Sequence, residues 1–144
     1  MRKAATRQDL ELFYPVMREL RPHICYSQFI ELYDAAHAAD GYELIGVEED
    51  GKLVAAMGYR VLTDYVHGRH LYIDDLVVAE SHRSKGLGAQ LLRESENIAR
   101  DLGCSNLRLS TGKENEGGMR FYDREGWTLR SVTYKKTVEP RKIA

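Results

Sequence analysis

A pair of adjacent carboxylates, Asp74 and Asp75, lies midway along the chain, and a short basic loop, Arg83-Ser84-Lys85-Gly86-Leu87-Gly88, follows it. Carboxylates can attract a cation and relay a proton. A glycine-bearing loop that opens a helix aims free backbone N–H groups and the positive helix end at one point, which binds phosphate. Arg83 and Lys85 add charge, and Gly86 and Gly88 let an anion approach with no Cβ in the way. The loop alone is equally compatible with an ordinary strand–turn–helix joint whose basic residues are solvated. Two other phosphate loops are excluded. The pattern G-x-x-x-x-G-K-[ST] is absent, and Leu91 stands where a full G-x-G-x-x-G needs its last glycine.

The elements that must position these residues follow from periodicity. Leu71–Val78 ends in the unbroken apolar run Leu76-Val77-Val78, the mark of a strand covered on both faces. From Leu87 the apolar positions Leu87, Leu91, Ile98, Ala99 and Leu102 recur at helical spacing, and Leu102-Gly103 closes that helix. Upstream, Thr6–Leu20 reads as a capped helix that Pro15 should kink or delay, and Ser27–Ala39 reads as a second helix closed by Asp40-Gly41. Tyr42–Glu48 and Lys52–Leu62 are predicted strands joined at Asp50-Gly51, and Thr63–Arg69 turns the chain into the Leu71 strand, giving an antiparallel meander. Asn106–Thr111 should lie parallel to Leu71–Val78 after a right-handed crossover. Met119–Arg124 is predicted as a short helix, Trp127–Thr137 as a last strand, and Glu139–Ala144 as a fraying tail.

Arg83-x-x-Gly86-x-Gly88 after an apolar strand resembles the cofactor motif of the GNAT family, the Gcn5-related N-acetyltransferases. Asn115, and Phe121-Tyr122 before Gly126-Trp127, resemble that family's second segment in the same order and with the same seven-residue step from Asn115 to Tyr122. The resemblance covers Leu71–Trp127. It implies one acyltransferase domain over 1–144: an α/β (α+β) mixed sheet, mostly antiparallel, with one splayed parallel pair and flanking helices. It also implies acetyl-CoA as co-substrate and a primary amine, small and cationic or on a protein, as acceptor. The first two helices would border the acceptor cleft.

The resemblance further assigns roles. The backbone from Ser84 through Lys85, Gly86, Leu87 and Gly88 to Ala89 would cradle the cofactor phosphates. The Leu76 N–H would polarise the thioester carbonyl, with Val77 and Val78 pairing the pantetheine arm. Asn115 would hold that arm through its amide, and Tyr122 would protonate the leaving thiolate. A phenol of reference pKa ~10 can do so when held close; Tyr122 could equally be a core aromatic. Where family members carry a glutamate to receive the amine's proton, this chain has Tyr72 or Ser110. Asp74-Asp75 remains, resembling the acidic pair of polyamine-type members. Strand alternation sends the two side chains to opposite faces, so at most one should meet the acceptor. Either could instead pair with Arg69 or Arg83. Glu43 and Glu114 are weaker candidates.

Composition narrows the alternatives. A net charge of -1 with 30% charged residues gives no basic field for nucleic acid. No apolar stretch approaches the ~18 residues a membrane helix needs. Cys25 and Cys104 are far apart with no leader before them, which fits reduced thiols and a cytoplasmic setting. His67 and His70 stand three apart with no third ligand in view, so solvated histidines and no metal are expected. A non-catalytic CoA-binding sensor of the same fold is the rival reading, and a homodimer is an expectation taken from small family members.

Overall fold

The structure, a computed structural model, describes residues 1–143, which form two compact units, Met1–Leu109 and the described residues from Ser110 onward. In the first unit a short strand β1 (Arg2–Lys3) leads to α1 (Arg7–Leu20) and α2 (Tyr26–Asp40). Three longer strands follow: β2 (Glu43–Glu49), β3 (Lys52–Asp64) and β4 (Gly68–Val78). Then come α3 (Leu87–Asp101) and β5 (Asn106–Leu109). The sheet order is β1-β2-β3-β4-β5, antiparallel except for the parallel β4–β5 pair. β1 is an element the sequence reading lacks; two residues are too few to carry a period.

Thr6 caps α1, accepting the Asp9 N–H while Asp9 accepts the Ala5 and Thr6 N–H groups. Such a cap contributes about 1 kcal/mol. Pro15 does not break α1. It lies on the exposed face with Glu11, whose carbonyl it leaves without a helical donor, so water can satisfy that oxygen. Phe13, Val16 and Met17 on the buried face hold the helix against Leu44, Ala56 and Val77. Gly46 permits this closeness, since a Cβ there would meet the Ala55 carbonyl oxygen at 2.5 Å and Phe13 at 2.9 Å. α2 has no fully buried residue; Phe29, Ile30, Tyr33 and Ala36 only rest on the same core, and His37 is exposed. The alternate residues Ile45, Met57 and Tyr59 point the other way, toward the face where α3 buries Leu91, Leu92, Ser95 and Ala99.

The β2–β3 turn places Asp50 and Gly51 at positive φ, 52° and 77°, as its Asp-Gly sequence requires. β4 starts earlier than Leu71 because the turn before it is compact, Arg69 and His70 pair with β3, and His70 also pairs with β5. The histidine expectation is corrected here. His70 is fully buried rather than solvated, and Asp64 stands beside His67 and His70 as a third potential ligand. Its separation in sequence, across the hairpin turn, hid it.

In the second unit the only helix among the described residues is α4 (Glu116–Arg124). It begins before Met119 because the Asn115 side chain caps it, accepting the Gly118 N–H at 3.0 Å and offsetting the two poor helix formers Gly117 and Gly118. The predicted strand over Trp127–Thr137 does not form. Leu129, Val132 and Tyr134 are exposed, and no strand is donated to pair that backbone. The residues after it are also irregular, and Ala144, the end of the tail expected to fray, lies outside the described residues.

Candidate active site

The Asp74-Asp75 pair sits at a break in the sheet. β3 and β4 pair Tyr59 with Ile73 and Gly58 with Asp75, so Asp74 is the extra residue of a β-bulge. A bulge re-aims the side chains that follow it. The expectation of opposite faces is therefore corrected: both carboxylates find partners on the α1–α2 side. Asp74 accepts two hydrogen bonds from Arg60, at 2.7 and 2.9 Å, and Arg60 also reaches Asp40 at the end of α2. Asp75 accepts from Arg21, just past α1, at 3.1 and 3.2 Å, and from the Tyr42 hydroxyl at 2.7 Å. The arginines are Arg60 and Arg21, not Arg69 or Arg83.

Gly58 explains how Tyr42 reaches Asp75. A Cβ at Gly58 would overlap the Tyr42 hydroxyl, so only glycine lets the phenol cross β3 there. Burial, and then the Asp75 charge, push the Tyr42 pKa well above its ordinary value and keep it a donor. Burial also raises the Asp74 pKa from its ordinary value, against the pull of Arg60. A carboxyl shifted that way is a better proton acceptor than an exposed one.

The parallel ladder between β4 and β5 runs from His70–Asn106 to Ile73–Leu109 and stops there, immediately before the bulge. Past it, among the described residues, Leu76, Val77 and Val78 pair only with β3, opposite Met57, Ala56 and Ala55. The Ala79 N–H donates to the Val54 carbonyl at 2.8 Å. Backbone groups alternate edges along an antiparallel strand, so those of Val77 also face β3, while those of Leu76 and Val78 face the edge the β5 ladder has left. Arg83 Nε lies 3.4 Å from the Val78 carbonyl oxygen.

From Val78 the chain passes through one short helical turn, Glu80–His82, into the basic loop. Ser84 and Gly86 take positive φ, 66° and 79°, and Gly86 caps α3 without any side-chain hydrogen bond. The first N–H groups of α3, at Leu87, Gly88 and Ala89, thus have no capping side chain. Arg83, Ser84, Lys85 and Gly86 are all exposed beside them. One unit therefore brings Asp74, Asp75, Leu76–Val78 and the loop into one continuous stretch.

In the second unit Asn115 is the cap of α4, with non-helical φ and ψ of -85° and 73°, and Tyr122 lies seven residues on, within the helix. Asn115 already uses its amide, accepting from Gly118 and donating to Thr111 Oγ1 at 3.0 Å. A Cβ at Gly118 would come within 2.5 Å of the Asn115 amide nitrogen, a packing signal present in the Gly117-Gly118 pair. The Tyr122 ring lies against Phe121 and Trp127, with centroids 5.2 and 6.1 Å away, and burial raises its pKa above the usual value. Its hydroxyl makes no hydrogen bond among the described residues. Ser110, at the end of the parallel strand in sequence, lies outside β5.

The residues 4–127 match the model of the acetyltransferase (GNAT) family. The chain is similar to an uncharacterized N-acetyltransferase of Bacillus subtilis, YhdJ, at 30% identity over 139 residues, 96% of this chain and 98% of that protein. It is similar to the thialysine N-epsilon-acetyltransferase of Bos taurus at 26% identity, over 88% of each chain. Among solved structures, the aminoglycoside N-acetyltransferase AAC(6')-Iy in complex with CoA superposes with a TM-score of 0.80 at 20% identity. That match covers 95% of this chain and 93% of the other, and is a likeness of fold. With a bulged strand that loses its parallel partner and leads into an uncapped, glycine-started helix, the chain belongs to the acetyltransferase (GNAT) family and is an acetyl-CoA-dependent N-acetyltransferase.

Proposed function

We propose that the protein transfers the acetyl group of acetyl-CoA to a small, cationic primary amine by direct attack, with Tyr122 as general acid. The single observation that carries this reading is the end of the β4–β5 ladder at Ile73, which leaves the Leu76 and Val78 backbone groups for a bound pantetheine arm. The cofactor pyrophosphate lies on the Ser84–Ala89 backbone, where Arg83 and Lys85 offset its charge. The Leu76 N–H donates to the thioester oxygen as negative charge develops there. Asn115 keeps one amide hydrogen and one lone pair for the arm after capping α4.

The amine nitrogen attacks the acetyl carbon, the C–S bond breaks, and the sulfur leaves with the proton of the Tyr122 hydroxyl. The amine must first lose a proton, since a free alkylammonium has a pKa of ~10.4. Asp74 and Asp75 draw the cation in. Asp74, raised by burial, takes the ammonium proton and hands it to water, and the second proton the nitrogen sheds after attack restores the Tyr122 hydroxyl. The name of the thialysine relative supports a small-amine acceptor for this chain. Asp74→Asn should raise the acceptor KM while acetyl-CoA affinity stays constant; a change in the reverse order removes the carboxylate from this role.

An acceptor screen with polyamines, aminoglycosides, amino acids and N-terminal peptides, read by release of the CoA thiol, tests the whole reading. Amine-dependent release is the expected result. Acetyl-CoA binding with no release on any amine would instead favour a non-catalytic sensor.

A further inference from the structure

At the other end of β4, three side chains converge that the transfer reaction does not use. His70 is 0% exposed, and its Nδ1 lies 3.0 Å from the Gly68 carbonyl oxygen. An imidazole donating through Nδ1 carries its lone pair on Nε2. That Nε2 is buried with no hydrogen-bond partner among the described residues. Leaving such an acceptor unsatisfied costs ~1–3 kcal/mol. It points toward Asp64, whose Oδ2 is 4.0 Å away, and the His67 ring centroid lies 5.2 Å from that of His70.

Asp64 and His67 complete the group. The Asp64 carboxylate accepts the His67 backbone N–H at 2.7 Å, which closes the turn, and lies 3.2 Å from His67 Nδ1. One donor atom from each of the three residues falls within 4.8 Å of the other two. Ligands at ~2.0–2.1 Å from a tetrahedral zinc ion are separated by about 3.3 Å, so the trio must draw in by up to about 1.5 Å. The supports are already in place: the Gly68 carbonyl fixes the His70 tautomer, and Asn106 holds the His67 carbonyl at 2.8 Å. Asp64 and His67 are partly exposed, leaving an entry path and a water for the fourth position.

We propose that Asp64, His67 and His70 bind a zinc-type divalent cation that ties the end of β3 to the start of β4 across their turn. The site is separate from the transfer site: His70 to Leu76 along a strand is about 20 Å. Imidazole and carboxylate donors favour zinc and its neighbours over calcium or magnesium.

The test is zinc titration of the tag-free chain, followed by calorimetry and by long-range proton–nitrogen spectra of the histidine rings. One equivalent should bind, shift the Nε2 signal of His70, leave those of His23, His37 and His82 in place, and raise Tm. Asp64→Ala and His67→Ala, both at partly exposed positions, should each weaken binding about tenfold or more and abolish the Tm rise. His70→Ala is the more direct variant but removes a core ring, so the other two carry the decision. Absence of stoichiometric binding overturns the proposal. So does binding that Asp64→Ala and His67→Ala leave unchanged, or a ring-nitrogen shift at other histidines with His70 unmoved.

Discussion

The two halves of β4 differ in what their backbones do. From His70 to Ile73 the strand is paired on both edges, to β3 and to β5, and its side chains Leu71 and Ile73 are buried. From Leu76 to Val78 it keeps one partner, and the free edge leads into a helix start with no capping side chain. One bulged residue, Asp74, separates a half that holds the sheet together from a half that is left with hydrogen bonds to give. Chemistry is expected where the ladder fails, because there β4 has backbone donors unspent.

The largest effect should come from Tyr122, the proposed general acid. Tyr122→Phe keeps the ring against Phe121 and Trp127, so Tm and acetyl-CoA affinity should change little. A positioned acid contributes ~10²–10⁴-fold, which sets the expected drop in kcat. Because burial raises the Tyr122 pKa, the acid stays protonated through neutral pH. The wild-type kcat profile should show no loss from this group below pH ~10. Turnover by the variant within a factor of about two or three of wild type would make the hydroxyl a packing partner.

Next, each half of β4 can be damaged separately. Leu71→Ala in the closed half should cost ~2–5 kcal/mol of stability by chemical denaturation, with acetyl-CoA affinity of the folded protein unchanged. Gly86→Asp at the open half should do the reverse. It places a negative charge, at a positive φ of 79° that disfavours side chains, where phosphate is to sit. Acetyl-CoA affinity should fall about a hundredfold, ~2.7 kcal/mol, with far-UV dichroism retained. If both variants lose stability and affinity together, the division of labour along the strand is wrong. The smallest effect belongs to the boundary. Gly58→Ala forces Tyr42 off Asp75 and should cost ~1–3 kcal/mol of stability while raising the acceptor KM.

Much of this was legible before any coordinates. The helix after Gly86, the parallel return of β5 and the Asp50-Gly51 turn each rest on local period or turn chemistry, and each stands. The bulge was not legible, because an extra residue leaves the apolar pattern of Leu71–Val78 intact while turning Asp75 and Val77 to the α1 face. Long-range partners were equally hidden: nothing near Asp74 or Asp75 in sequence announces Arg60, Arg21 or Tyr42, and nothing near His70 announces Asp64. Trp127–Thr137 misled in the opposite direction, since strand-like composition without a pairing partner does not make a strand.

Residue-resolved amide hydrogen exchange measures directly which amides of β4 and α3 are free. Without ligand, the His70–Ile73 amides should be protected, while those of Leu76, Val78, Gly88 and Ala89 exchange fast. Saturating acetyl-CoA should slow the second set and leave the first unchanged. Leu76 and Val78 amides already as slow as those of Leu71 and Ile73, or indifferent to acetyl-CoA, would contradict the account.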